Sequence, residues 1–381
     1  MQMLGQILEI LIVVGCAYWL MAAWLVSRYG GARTVPLVTT YPSVTILKPL
    51  YGAEPNLAAN LTSFIQQDYP APIQVIFGVQ SQFDKALPIV RSVMDAFPNR
   101  DLTLVVNSQR HGENPKISNL INMMPQARSD IILIADSDIG VDAAYVSRVV
   151  AELDRPNVGA VTCAYYGAGY GALWSRLMAL AIDSHFLPNV VVGLALKLAT
   201  PCFGATIALK RETLEMLGGF QAFTDVLADD YAIGEAVRRL GRQVIIPAFL
   251  VGHTCSHASF VELVAHEIRW AKTIANVDRA GFLGTGITHV IPLSLTALAI
   301  GGATERAALL VAASLLCRYL LLWSVARRFN LTGIAYWLLP VRDCLSFCVY
   351  LASFLPFEVR WKGDRFLVKM DGTMARRPES E

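Results

Sequence analysis

Charged residues make up only 16% of this 381-residue sequence, against 54% hydrophobic. A soluble globular domain carries about 25% charged residues, so part of the chain belongs in a membrane. Neither sign of charge is in excess: 32 basic against 30 acidic residues leave a net charge of +2, which gives no electrostatic footprint for nucleic acid. The seven cysteines are scattered, with no CxxC pair and no regular spacing. That excludes a disulfide framework and fits a reducing compartment. No GxGxxG follows a strand and no Walker loop is present, which removes Rossmann dehydrogenases and P-loop NTPases. Internal repeats and low-complexity stretches are also missing, and only the last ten or so residues read as disordered.

What the chain does have is long apolar runs at both ends. Residues 4–26, LGQILEILIVVGCAYWLMAAWLV, approach the ~20 apolar residues that span a bilayer, with Glu9 near one end and Trp19 and Trp24 as interface anchors. A basic leading region and a small-residue cleavage site are lacking, so the segment reads as an uncleaved anchor rather than a signal peptide. Arg28 and Arg33 follow it and no Lys or Arg precedes it, which places the next domain in the cytosol. From about residue 287 come ITHVIPLSLTALAIGG, AALLVAASLLCRYLLLWSVA and TGIAYWLLPVRDCLSFCVYLASFLPF, two or three membrane segments broken by Glu305 with Arg306 and by Arg327 with Arg328. Three full crossings would put the tail outside, yet Arg360, Lys362, Arg365, Lys369, Arg376 and Arg377 argue for the cytosol. The two agree if the last segment, interrupted by Pro340 and the Arg342/Asp343 pair, is re-entrant or interfacial. The expected layout is an anchor over 1–30, a cytosolic domain over 40–285, membrane or re-entrant segments over 286–358, and a basic cytosolic tail over 359–381.

In the middle, the apolar runs SVTILKP, IQVIFGV, LTLVVN and DIILIAD alternate with helical stretches such as PNLAANLTSFIQQ and DKALPIVRSVMDAF. This is the signature of βαβ units and a mainly parallel α/β sheet. VGAVTC, FGATIALK and QVIIPAF continue that sheet or add a smaller one. Ligands bind beyond the carboxyl ends of such strands, where Asp84 and Asp136 fall. Two carboxylates one residue apart, Asp136 and Asp138, repel unless a cation lies between them. A hard divalent ion takes one or two carboxylates and completes its shell with water and phosphate, so D-S-D suggests a metal–diphosphate clamp. Downstream, Asp229 and Asp230 open an amphipathic helix that ends at Gly241, and HEIRW (His266 to Trp270) follows a helical run from near Phe260.

In this order, Asp84, Asp136-Ser137-Asp138, Asp229-Asp230 and Arg269-Trp270, followed by membrane segments, the chain resembles the ceramide glucosyltransferase family of inverting, nucleotide-sugar-dependent enzymes of the GT-A fold. That family's pattern is three spaced aspartates and a (Q/R)xxRW box. The matching stretches are LKPLYGAEPNLAANLTSFIQQDYP, GENPKISNL, IADSDIG, LADDYAIGEAV and HEIRW, over most of residues 43–275. Two positions depart from it: His266 stands where the box has Gln or Arg, and Ser81 where the family often has another acidic residue. The resemblance implies a GT-A fold, Rossmann-like and mainly parallel, with N-terminal and C-terminal transmembrane helices. It implies that Asp84 holds the nucleotide, that Asp136 and Asp138 bind ribose and a Mg²⁺ or Mn²⁺ ion, and that Asp230 is the base, with Asp229 as its rival. It implies that Arg269 meets the diphosphate and Trp270 shapes the acceptor entrance; the contact usually made at the position of His266 is open. GVQSQFDKA, SNLINMMPQAR and SHFLPNVVVGLALKLATPCFGATIALKRETLE look most like the bacterial hopanoid-biosynthesis branch. For that branch the expectation is transfer of N-acetylglucosamine from its UDP donor to bacteriohopanetetrol at the inner membrane, with a UDP-glucose-dependent ceramide glucosyltransferase as the alternative.

Lys48 in LKPL and Lys116 in ENPK read equally as phosphate contacts or as surface lysines. In an extended VGHTCSH, His253, Cys255 and His257 would share one face, as zinc ligands or as lining of an acceptor cavity or core. Residues 172–199, apolar but carrying Arg176, Asp183, His185 and Lys197, suit an interfacial segment beside which a lipid acceptor could enter. A processive synthase would share the motifs but need a continuous channel, and a transporter would show repeated halves.

Overall fold

A computed structural model describes residues 2–30, 41–169 and 171–355, and short strands beyond them by their backbone. Arg33, Lys362, Lys369 and Arg377 lie outside the described residues, as do the side chains of Arg360, Arg365 and Arg376, so the basic tail expected over 359–381 is not described. Along the chain run α1 (Gln2–Arg28), β1 (Val44–Pro49), α2 (Leu57–Ile65), β2 (Ile73–Val79), α3 (Leu87–Ala96), β3 (Asp101–Val106), α4 (Pro115–Met123), β4 (Ile131–Ile134), β5 (Ile139–Gly140) and α5 (Tyr145–Leu153). Then come β6 (Val158–Thr162), β7 (Tyr165–Gly169), α6 (Leu173–Ala181), a π turn (Ile182–Phe186), α7 (Leu187–Ala195), β8 (Ile207–Lys210), α8 (Arg211–Met216), α9 (Asp229–Arg239), β9 (Gln243–Ile245) and β10 (Val251–Cys255). The rest is α10 (Phe260–Val277), α11 (Arg279–Gly284), α12 (Val290–Gly301), α13 (Glu305–Phe329), α14 (Leu339–Ser353) and three strands, β11 (Val359–Trp361), β12 (Asp364–Val368) and β13 (Met374–Arg376). These elements form two compact units that interleave along the chain rather than follow one another in blocks: a sheet unit of residues 32–166, 200–254 and 361–381, and a helical unit of 1–31, 167–199 and 255–360.

In the sheet unit, seven strands take the order β3-β2-β1-β4-β8-β6-β9. All neighbours are parallel except β8, which runs antiparallel to both β4 and β6. FGATIALK and its neighbours therefore extend the main sheet instead of starting another. The residues of β1, β4 and β6 are buried on both faces, because helices cover the sheet above and below and leave no wet side for an alternating pattern. One core gathers Leu47, Ile76, Ile132, Leu209 and Ala160 from the strands with Ile117 and Leu120 of α4 and Ile233 and Val237 of α9. Strand order reverses between β1 and β4, since β1 leads outward to β2 and β3 while β4 returns to its other edge. That switch point is where an open α/β sheet leaves a crevice at its carboxyl end.

In the helical unit, α1 packs on α13, α12 and α7, and Trp19, fully buried, donates its indole N–H to the Thr288 carbonyl at 2.7 Å. Among the described residues, three helices are long and apolar enough to cross a membrane: Met3–Arg28, Leu173–Ala195 and Glu305–Phe329. Arg279–Thr288 with Val290–Gly301 makes a fourth if a pair bent by 57° counts as one broken span. The segment read as interfacial is thus one continuous helix of spanning length, and 67% of its most apolar window is buried inside the protein. The break expected at Glu305/Arg306 coincides with the start of α13, which Thr304 caps by accepting the Ala307 N–H; Asn330, left-handed at φ 53°, ends it. Arg342 and Asp343 lie inside α14 and are partners of other helices, not of each other: Arg342 meets Glu267 of α10, and Asp343 meets Arg318 of α13. Inside an apolar unit an ion survives only when paired and hydrogen-bonded.

Candidate functional site

The D-S-D stretch leaves β4 at the switch point and is held on every side. Lys48, the penultimate residue of β1, is fully buried and not a surface lysine; its ammonium donates to the Asp136 main-chain carbonyl and lies 4.0 Å above the Phe64 ring. Burial draws this ammonium down to about 7, against the opposing pull of Asp138, Asp136 and Glu54. Asn60 of α2 donates to the Ser137 carbonyl at 3.1 Å, and the Ser137 hydroxyl donates to Glu54 at 2.8 Å. On the far side the Thr254 N–H of β10 donates to the Asp138 carbonyl at 2.8 Å. The loop's backbone is satisfied by protein, which leaves its carboxylates to act outward.

Asp136 points at Lys116, with Oδ1 2.6 Å from the ammonium, and Asp229 Oδ2 is 3.6 Å from the same ammonium. The GENPK stretch explains how Lys116 comes to be there. Asn114 is an N-cap in extended conformation whose side-chain oxygen accepts the Lys116 and Ile117 N–H groups, and Pro115 fills the first helical position, where no N–H is needed. The Asn114 amide then donates to Val226 at 2.8 Å and to Asp229 at 3.4 Å, tying the start of α4 to the start of α9. Burial lowers the Lys116 ammonium, but Asp136, Asp229 and Asp230 outweigh it and hold it above the ordinary lysine range. Asp136 is raised by burial, with Lys116 opposing.

Asp230 accepts the Tyr231 N–H on Oδ1 at 2.8 Å and the Gly204 N–H on Oδ2 at 2.9 Å. Burial first, and then the neighbouring Asp229, push its carboxyl up to about 6. Gly204 sits at the centre of the cluster: a Cβ there would fall 2.9 Å from Asp136 Oδ2, 3.0 Å from Lys116 Nζ and 3.5 Å from Asp230 Oδ2. Three charged groups from three separate stretches therefore converge around one glycine, with Asp229 beside them on the Lys116 ammonium.

Asp138 takes a different partner, its Oδ2 lying 3.2 Å from His253 Nε2 of β10, whose ring stacks on Tyr165 at 5.3 Å. Asp138 offers the carboxylate oxygen that a hard ion takes, and the imidazole, within hydrogen-bond reach of that oxygen, orients it. Among the described residues no three His, Cys, Asp or Glu side chains form a metal cage. The zinc reading of VGHTCSH is not what the chain builds: β10 ends at Cys255, His253 goes to Asp138, and His257 Nε2 lies 2.9 Å from His266 Nδ1.

Asp84 works at the next strand end, where Oδ1 accepts the Gly52 N–H at 2.9 Å and the Ala86 N–H at 2.8 Å, joining the loops after β1 and β2. Gly52 is left-handed at φ 76°, a turn that favours glycine. His266, Arg269 and Trp270 belong to the helical unit, in the middle of α10 and not at a helix end, with the His266 ring 4.6 Å from Trp270. The structure thus brings Lys116, Asp136, Asp229 and Asp230 together, sets Asp138 beside His253, and puts the HEIRW box on its own helix. Sequence reasoning missed Gly204, Asn114 and the part played by Lys48. Asn-Pro at a helix start is a legible cap, but nothing in PCFGAT marks its glycine.

The chain matches the family model Glycosyl transferase family 21 over residues 7–374. Ceramide glucosyltransferase 1 of Caenorhabditis elegans is 25% identical over 254 residues, covering 66% of this chain and 53% of that protein. A ceramide glucosyltransferase of Gibberella zeae is 30% identical over 133 residues, 32% of this chain and 25% of that one. The chain spans about half the length, or less, of the curated relatives it matches. Among solved structures, the mannosyltransferase PcManGT from Pyrobaculum calidifontis, in complex with GDP-Man and Mn²⁺, superposes with a TM-score of 0.51 at 21% identity over 92% of this chain and 98% of that one. The fold is the GT-A-like α/β glycosyltransferase fold, and with a family match over nearly its whole length the chain belongs to glycosyl transferase family 21.

Proposed function

We propose that this protein is a multi-pass membrane enzyme that moves a sugar from a UDP-sugar to a lipid alcohol with inversion at the anomeric carbon. The observation that carries the reading is the convergence of Asp136, Lys116 and Asp230 around Gly204, with Asp229 on the same Lys116 ammonium, at the carboxyl end of the sheet. Asp230 is the base. It takes the proton of the acceptor hydroxyl as that oxygen bonds to the anomeric carbon, while the bond to the diphosphate breaks and UDP leaves with the electron pair. Its raised carboxyl suits a group that must accept a proton near neutrality and release it again. Asp136 and Asp138, the latter oriented by His253, would hold a Mg²⁺ or Mn²⁺ ion, which supplies charge neutralisation at the diphosphate when bound. Lys116 places a second, permanent positive charge at the same locus. Asp84 fixes the nucleotide's loops, and Arg269, with a planar fork, suits a diphosphate oxygen pair, with His266 and Trp270 on the acceptor side.

Within this class we assign the donor as UDP-N-acetylglucosamine and the acceptor as a hopanoid alcohol, bacteriohopanetetrol. The support is the resemblance of residues 78–86, 118–128 and 184–215 to the hopanoid branch. The second reading, ceramide with UDP-glucose, is favoured by the curated relatives, which are ceramide glucosyltransferases. The proposed topology has an anchor over 1–30 and a transferase domain over 40–285 facing the cytosol of a bacterial inner membrane. Membrane or re-entrant segments over 286–358 and a basic cytosolic tail over 359–381 complete it.

The test is transfer by the detergent-solubilised protein with Mg²⁺ or Mn²⁺, crossing the two UDP-sugars with bacteriohopanetetrol and ceramide. Product from UDP-N-acetylglucosamine and the hopanoid supports the first assignment, and product from UDP-glucose and ceramide the second. No product from any pair rejects both.

A further inference from the structure

Helix α10 carries His266, Arg269 and Trp270, and its only buried residues are Leu263 and Glu267, one turn apart. The helix also packs on α14, α11 and α6, but apolar packing is non-directional, so a directional contact sets its rotation most sharply. Glu267 supplies that pin. Its two carboxylate oxygens face the Arg342 guanidinium fork of α14 at 2.5 and 2.7 Å, with Arg342 fully buried and Glu267 nearly so. A paired fork-to-carboxylate contact fixes rotation as well as distance, which a single ammonium contact does not. The Arg342 Nε–H is also used, donating to Ser346 one turn along α14 at 3.1 Å, so the fork itself cannot swivel. At about 100° per residue, Arg269 lies about 200° round the helix from Glu267. Anchoring Glu267 against α14 therefore turns Arg269 to the opposite side of α10.

The next residue of α14 provides an internal comparison. Asp343 is fully buried and accepts from Arg318 of α13 at 2.7 and 2.9 Å; Arg318 also donates to the Ser184 carbonyl at 2.8 Å, within the π turn. This second pair has the same chemistry and burial but touches no element that carries the box. Stability alone would make the two pairs equivalent.

We propose that Arg342 and Glu267 are positioning residues that set the orientation of the His266–Arg269–Trp270 face of α10, and through it the part the box plays in binding the sugar nucleotide. The proposal rests on reading Arg269 and Trp270 as site residues. It is tested in the full-length detergent-solubilised protein with Arg342→Lys, which keeps the charge and loses the fork, with the exchanged pair Glu267→Arg/Arg342→Glu, and with Arg318→Lys as the comparison. The expected result is a KM for the sugar nucleotide raised on the order of tenfold in Arg342→Lys, recovery to within a few-fold in the exchanged pair, and an unchanged KM in Arg318→Lys even where Tm falls. A loss of folded enzyme lowers the apparent kcat but does not raise KM, so the split separates positioning from mere stability. Equal falls in Tm for Arg342→Lys and Arg318→Lys, with KM at the wild-type value in both, would overturn the proposal. Should the wild type transfer no sugar, hydrogen exchange decides instead. Faster exchange over residues 260–277 in Arg342→Lys, with residues 305–329 unchanged, supports the pin, and unchanged exchange in both overturns it.

Discussion

Replacing Gly204 by alanine is the sharpest probe of the charged cluster, because it adds one methyl at its centre and changes nothing else. Gly204 is not among the residues with positive φ, so alanine is compatible with its backbone and the effect is steric alone. The new Cβ would fall 2.9 Å from Asp136 Oδ2 and 3.0 Å from Lys116 Nζ. A comfortable carbon–oxygen approach is about 3.5 Å, so the Asp136 carboxylate must retreat by roughly half an ångström. Lys116 can give way at the end of a flexible stem; Asp136 sits on a short stem on a loop tied down by Lys48, Asn60 and Thr254. Since a 1 Å misplacement at a reacting centre costs about 10²-fold, the expected loss is about 10-fold in kcat/KM. The fold should be little affected. Overpacking costs about 1–3 kcal/mol and the Gly→Ala change returns about 0.4–1 kcal/mol by restricting the unfolded chain. The assay is steady-state transfer from the UDP-sugar alongside a thermal melt, with Gly301→Ala, which has nothing within 4 Å, as control. Activity within twofold of wild type at unchanged Tm would show that Asp136 and Lys116 are not held where the chemistry needs them.

Asp230→Asn should lower kcat by roughly 10²- to 10⁴-fold. Because the Asp230 carboxyl is raised to about 6, wild-type activity should fall as pH drops through 6. The same raised carboxyl disfavours the folded state once the pH exceeds the unfolded value near 3.8, an effect complete above 6. The Asn variant should therefore melt higher than wild type at pH 8, by a margin on the order of 1–3 kcal/mol, and a melt at or below wild type contradicts the assignment. His253→Ala should raise the Mn²⁺ concentration needed for half-maximal activity by about 10- to 100-fold; an unshifted metal titration would remove His253 from its orienting role. Asp84→Ala releases the Gly52 and Ala86 N–H groups together. It should cost about 1–2 kcal/mol of stability and raise KM for the nucleotide, whereas a fall in kcat alone would argue against a nucleotide-side role.

The sequence by itself determined the class of sheet, because strands covered on both faces must be continuously apolar: IILI and VTILKP could be read as buried strands before any partner was known. It also determined the apolar helices at both ends, whereas the Asn-Pro cap that opens α4, though a local signal, is recognised as a helix start only once its place in the fold is known. In the site, the spacing of D-S-D announced a charged locus at a strand end. Tertiary structure alone decided which groups share that locus. Lys48 and Lys116 look alike in sequence, yet one is buried beneath the Asp136 backbone and the other faces its carboxylate. Gly204 carries no pattern at all, since the room a missing Cβ leaves exists only once β8, α4 and α9 have converged. Likewise Arg342 and Asp343, neighbours in sequence, are bound to different helices. Periodicity reports what a residue's own element buries; ion pairs between elements are set by contacts tens to hundreds of residues apart, and those belong to the fold.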